Sequence, residues 1–286
     1  MKETAKTQII IDSTTDLAKE YADRVLVAPL MVSFGDTQYR DGIDLSRNEF
    51  YEKLEKGDVI PKTSQPSPAE FEGLYQQVRE KGMNGIVITL SSELSGTYQS
   101  ACIAAEEYPE ISVIDSKSVA IGTGILVQHA IDCADKGMSQ KQLIEEIEGK
   151  KEDICLVAML DTLEYLMKGG RLSRTAAFAG SLLNIKPVIT IRDGAVVVLG
   201  KARGAKKANN LLVELIVQNG VEYSMPLLLG YSGTSDLLLH SYIEDSKNLW
   251  EGHLEKPEYS QICSVIGTHA GPGAVAVAFF KPGKQV

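Results

Sequence analysis

Three segments concentrate hydroxyls, amides and one imidazole among small, turn-forming residues. Residues 62–68 read KTSQPSP, residues 91–98 read SSELSGTY, and residues 267–273 read GTHAGPG. In α/β proteins ligands collect where strands end and loops enter helix N-termini. Ser and Thr hydroxyls with free backbone N–H groups can hold an anion there. His269 adds a ring that can donate a hydrogen bond or carry charge near neutrality. Ser and Thr at helix starts also serve as plain caps. The spacing S-x-x-x-S-G-T-Y, from Ser91 to Tyr98, is more specific than a cap requires. A different chemistry is open to the same groups: Ser95 as nucleophile and His269 as base, as in a serine hydrolase or acyltransferase. Against it, Leu94-Ser95-Gly96 lacks the G-x-S-x-G elbow, and no acidic residue near His269 in sequence can orient its ring.

Other motifs narrow the field. Gly271, Gly273 and Ala276 match the letters of a dinucleotide fingerprint, but Pro272 and the strand-like AVAVAFF that follows give the wrong context. No GxxxxGK[ST] is present, so any phosphoryl transfer belongs to a partner. His129, in a helix-like stretch beside Val127 and Ile131, reads as structural, and His240 and His253 as surface residues. None has a partner at ligand spacing, so no metal site is expected. Asp12 and Asp115 end strands, where capping or loop-holding is the default role. Cys102, Cys133, Cys155 and Cys263 are scattered without a CxxC, which reads as reduced thiols in a cytoplasmic protein. Lys201, Arg203, Lys206 and Lys207 cluster at a helix start, either as a solvated surface or as a docking patch for an acidic partner.

These groups must be carried by alternating strands and helices. Strand-like runs fall at residues 7–12, 25–33, 85–90, 111–115, 154–159, 187–192, 195–199, 225–231, 260–266 and 274–280. Turns at Gly35-Asp36 and Asp193-Gly194 mark hairpins. Ser46 with Glu49 and Ser67 with Glu70 fit capping boxes that open helices. Helical stretches are also expected at residues 97–107, 122–136, 140–148, 161–167, 205–218 and 235–245. The charged stretch 145–153 is the expected boundary, dividing an N-terminal α/β domain (1–155) with a parallel sheet from a C-terminal α/β domain (156–286) with a mixed sheet. A ligand cleft is expected between the two lobes.

Composition excludes several function classes. The 286 residues carry a net charge of −9, which makes a poor nucleic-acid binder. With 44% hydrophobic and 23% charged residues the chain is globular, and at 6% aromatics its core must be Val, Ile, Leu and Ala packed on a sheet. The longest apolar stretches are about half of the ~20 residues a spanning helix needs. MKETAKTQIIID has no signal-peptide pattern, so no targeting segment is expected.

Taken in order, IIIDSTTDL, TSQPSP, SSELSGTYQSA, VIDSKSVAIGTG, GGRLS and THAGPGAVAVAFF resemble the DegV family along nearly the whole chain. That family contains the fatty-acid-binding subunits of bacterial fatty acid kinase. The resemblance implies a two-lobed α/β carrier without a catalytic step or cofactor of its own. It would hold one long-chain fatty acid and present its carboxylate to a separate kinase catalytic subunit, with transient contact at a membrane surface. Thr63, Ser95 and His269 match the family's carboxylate contacts, with Ser64 and Gly96 beside them. Arg174 and Arg203 match arginines linked to kinase docking or gating, while Arg171 and Arg192 lie close enough to compete for those roles. Physical chemistry favours the same division of labour. Burying the tail of a C16–C18 acid, about fifteen methylenes, yields roughly 12 kcal/mol gross. The tail then supplies affinity, and the polar loops orient the head and keep it ionised.

Overall fold

The computed structural model describes residues 6–57, 59–172 and 184–283. The N-terminal part is built on a parallel sheet ordered β2-β1-β6-β7, formed by Thr7–Asp12 (β1), Val25–Ala28 (β2), Asn84–Thr89 (β6) and Ile111–Asp115 (β7). Beside it a small antiparallel sheet, β4-β3-β5, joins Met31–Phe34 (β3), Thr37–Arg40 (β4) and Lys62–Ser64 (β5). The C-terminal part is a mixed six-stranded sheet in the order β10-β9-β8-β13-β11-β12. Its strands are Ile154–Met159 (β8), Ile185–Arg192 (β9), Ala195–Arg203 (β10), Leu228–Tyr231 (β11), Tyr259–Gln261 (β12) and Val275–Phe280 (β13). All its pairings are antiparallel except β11 with β12.

The helices are Arg47–Lys56 (α1), Pro68–Glu80 (α2), Thr97–Ala105 (α3), Ile121–Asp135 (α4), Gln140–Lys150 (α5), Glu164–Lys168 (α6), Ala205–Asn219 (α7), Leu237–Asp245 (α8), Lys247–Trp250 (α9) and Ser264–Ala270 (α10). Local signals explain many of their starts. Ser46 and Glu49 close a reciprocal capping box on α1. Ser67 accepts the Glu70 N–H ahead of α2, with Pro68 in the first turn where its missing donor costs nothing. Asp193 and Gly194, both at positive φ, make the tight β9–β10 turn.

Helix α4 is buried along most of its length, because it lies between the two large sheets. A helix apolar on all sides needs such a double burial. Its approach to the chain after β1 depends on Gly124, where an added Cβ would lie 2.0 Å from the Asp16 carbonyl oxygen.

The structure departs from the expectation drawn from periodicity: the run 25–33 is split between β2 and β3 of two different sheets. Residues 260–266 are not one strand: β12 ends at Gln261, Cys263 forms the N-cap, and α10 begins at Ser264. Buried carboxylates impose that start. Asp16 Oδ1 accepts the Cys263 N–H (3.1 Å) and Asp41 Oδ1 the Ser264 N–H (3.3 Å), satisfying donors that a helix N-terminus leaves open. Both acids are pushed up by burial, Asp16 to about 7 against the pull of Arg47. The charged stretch 145–153, where the boundary is expected, finishes α5 and makes a 3₁₀ turn, Lys151–Asp153, that runs directly into β8. Its charges belong to the solvated face of that helix and turn.

Candidate functional site

The cavity arises from alternation along β8 and β13. Cys155, Val157 and Met159, with Val275, Val277 and Phe279, point to the layer covered by α7 and α8. Leu156, Ala158 and Leu160, with Ala274 and Ala276, point the other way. Because Ala276 pairs directly with Ala158, the floor on that side is two methyl groups deep. Val119, Ala120 and Ile121, at the start of α4, and Leu90, after β6, face it from the N-terminal part. Between them lies a cavity of about 360 Å³, within the range of small-molecule sites. Its walls are mostly aliphatic, and among the described residues none that lines it is acidic.

All five residues singled out for carboxylate binding, Thr63, Ser64, Ser95, Gly96 and His269, line this one cavity. Thr63 sits on β5 rather than in a loop, where pairing with Val32 fixes its direction. His269 sits in the last turn of α10, likewise not in a loop. That short helix is tied down at its start by Asp16 and Asp41. Arg47 pairs with Asp16 (3.0 Å) and donates to the Gln261 carbonyl, and the Tyr51 hydroxyl donates to Ile262 O (3.0 Å).

His269 Nε2 meets Thr63 Oγ1 at 2.9 Å. Its Nδ1 is buried with no hydrogen-bond partner among the described residues and is packed so closely on Gly169 that a Cβ there would lie 2.1 Å away. Burial, reinforced by the Arg171 guanidinium, holds the His269 ring down at about 4. The ring is therefore neutral near pH 7 and acts as a hydrogen-bonding group rather than a cation.

Ser95 Oγ bonds Thr97 Oγ1 (2.9 Å) and accepts the Thr97 N–H (3.3 Å), one of the open donors at the start of α3, whose N-cap is Gly96. Serine and histidine thus hold separate partners, and no carboxylate bonds Nδ1, so the nucleophile–base–acid relay of a hydrolase is not assembled among the described residues. Gly96 makes room for Gln65, whose Oε1 would lie 2.2 Å from an added Cβ and whose Nε2 donates to Ser100 Oγ (2.7 Å).

Among the described residues, the permanent charge at this end of the cavity is Arg171, a residue that the sequence offered only as a competitor for a docking role. Following Gly169-Gly170, its Nε donates to Leu94 O (3.1 Å) and its Nη1 to Gly169 O (2.7 Å), which aims the guanidinium into the cavity wall. The GGR turn was the available signal. Arg203 is exposed at the end of β10 and does not line the cavity, and Arg174 lies outside the described residues.

One reading of the histidines is corrected. His129 does have partners at ligand spacing, since Cys133 lies one turn further along α4 and Glu146 faces both from α5. The i,i+4 relation was visible in the sequence, but the third member came from another helix.

The expected acid titration is specific. His269 should remain neutral until the pH falls to about 4, whereas an unfolded chain would protonate it near 6.5. The unfolded state therefore binds the proton first, and this residue's contribution to stability, complete above pH 6.5, is lost as pH drops through that window. NMR of the imidazole protons measures it directly. A ring titrating near 6.5 in the folded protein would contradict the buried geometry.

A parallel-sheet part and a mixed-sheet part thus line an aliphatic cavity with one polar, cationic end, in an α/β protein whose cavity is of small-molecule size. A family model described as "Uncharacterised protein, DegV family" matches residues 6–282, and the chain belongs to the DegV family. A DegV domain-containing protein of Caldanaerobacter subterraneus is 34% identical over 277 residues, covering 96% of each chain. Among solved structures, a fatty-acid-binding DegV family protein from Thermus thermophilus superposes with a TM-score of 0.86 at 30% identity, over 97% of this chain and all of that one. A stearic-acid-binding protein from Eubacterium ventriosum gives 0.82 at 28%, over 96% and 98%.

Proposed function

We propose that this protein is a non-catalytic carrier that encloses one long-chain fatty acid. The tail lies over the Ala158–Ala276 floor, and the carboxylate rests at the end formed by Thr63, Ser95, Arg171 and His269. The observation that carries this reading is an aliphatic cavity ending in hydroxyls, a neutral imidazole and a fixed guanidinium, with no acidic residue among the described residues that line it. An ionised head group there gains charge-assisted hydrogen bonds and meets no like charge. The first turn of α3, beginning at Gly96, adds its positive dipole end. The ligands of the Thermus and Eubacterium proteins support the choice of ligand class.

The carrier passes its bound acid to a separate kinase for acyl-phosphate formation. Support comes from the lack of a phosphate-binding P-loop in this sequence and from exposed Arg203, Lys206 and Lys207 where β10 enters α7 on an otherwise acidic chain.

Organic extraction and mass spectrometry of the purified protein should find close to one fatty acid per chain. Thr63→Ala and Ser95→Ala should each weaken its retention about tenfold, the effect of losing one hydrogen bond to a charged group. Protein free of any acid, and unable to take one up, would defeat the proposal.

A further inference from the structure

His129, Cys133 and Glu146 stand apart from the cavity, on the faces of α4 and α5 that pack together. One donor atom from each lies within 4.8 Å of the other two. Cys133 Sγ is 3.6 Å from His129 Nε2, and that nitrogen is 2.8 Å from Glu146 Oε1. Around a tetrahedral zinc ion, with bonds of about 2.0 Å to nitrogen and about 2.3 Å to sulfur, those two ligand atoms fall roughly 3.5 Å apart. The observed sulfur–nitrogen separation needs almost no adjustment. The shorter nitrogen–oxygen distance is that of a hydrogen bond whose proton a metal would replace.

We propose that these three side chains bind a zinc ion that cross-links α4 to α5. The donor set selects the metal: a thiolate with an imidazole and one carboxylate suits Zn²⁺ or Co²⁺, whereas Mg²⁺ and Ca²⁺ require mostly oxygen ligands. On binding, Cys133 releases its thiol proton to solvent, and the His129 ring keeps its single proton, carried on Nδ1, so that neutral imidazole coordinates through Nε2 and Glu146 as carboxylate. The Glu146 side chain is 32% exposed, which leaves a path for the ion and room for water as fourth ligand. The His129 side chain is 11% exposed, with the buried Phe280 ring packed beside it at 5.9 Å between centroids. That apolar shell limits solvent access to the thiolate. The site lies about two to three turns of α4 beyond the residues that line the cavity and does not depend on which ligand the cavity holds.

The test uses tag-free, full-length protein stripped with chelator, titrated with Co²⁺ and then with Zn²⁺. The expected result is one equivalent of Co²⁺ with a thiolate-to-metal charge-transfer band, displaced stoichiometrically by Zn²⁺ and unaffected by equal Mg²⁺. Zn²⁺ should also raise Tm. Cys133→Ala should abolish the band, and Glu146→Gln, at a partly exposed position, should keep it while lowering affinity at least tenfold. No charge-transfer band in the native protein overturns the proposal, as does a band that persists in Cys133→Ala. Equal affinity in Glu146→Gln and the native protein overturns it too.

Discussion

Ala276→Phe should empty the protein of lipid. Ala276 and Ala158 face each other across β13 and β8 and form the low part of the cavity floor. A phenyl ring there fills the space of several methylenes. Excluding about four, at ~0.8 kcal/mol each, removes roughly 3 kcal/mol, a loss of affinity on the order of a hundredfold. Some of the ring's bulk will strain the sheet, at a cost of about 1–3 kcal/mol in stability. The adjacent residue separates the two effects. Val277 is fully buried but points to the opposite layer. Val277→Ala should therefore lower Tm through a cavity of its own while leaving retention of the acid intact. Extraction yields and thermal melts of both variants decide the matter. Full lipid content in Ala276→Phe would show that the tail lies elsewhere.

Replacing Arg171 by Gln should remove the preference for an ionised head. Hydrogen bonds to charged groups contribute about 1.5–3 kcal/mol, so affinity for a long-chain acid should fall by roughly ten- to a hundredfold. Affinity for its methyl ester, which has no charge to meet, should change little. The acid-to-ester ratio is the informative quantity, because Arg171 also holds Leu94 O and Gly169 O. A role limited to bracing that turn would weaken acid and ester alike. The same variant should let the His269 ring titrate higher than about 4, since Arg171 is the second cause, after burial, that holds it down. An unchanged ratio and an unchanged ring would together exclude Arg171 from head-group recognition.

Much of this architecture follows from local rules. Period-two runs such as VAVAFF and ICLVAM can bury both faces of a strand, and the caps at Ser46 and Ser67 start helices wherever the chain goes next. The five cavity residues were recognisable because their ordered motifs resemble those of the DegV family, hydroxyls alone being equally at home as helix caps. Three features resisted such reading. The start of α10 depends on carboxylates more than two hundred residues away in sequence, Asp16 and Asp41, so its apolar residues read as strand. Arg171 looked like any arginine after two glycines until its guanidinium was found anchored to Leu94 and Gly169. Glu146 is one of several acidic residues on α5, and only the packing of that helix brings it to His129 and Cys133.

The order of residues alone thus settled the α/β class, the family and the polar groups available to a ligand, because hydrophobic period, capping and turn chemistry act over a few neighbouring residues. Three-dimensional packing settled which of those groups share one space, the neutral state of His269 and the depth of the alanine floor. Burial, pairing register and the local dielectric are properties of surfaces brought together from distant parts of the chain.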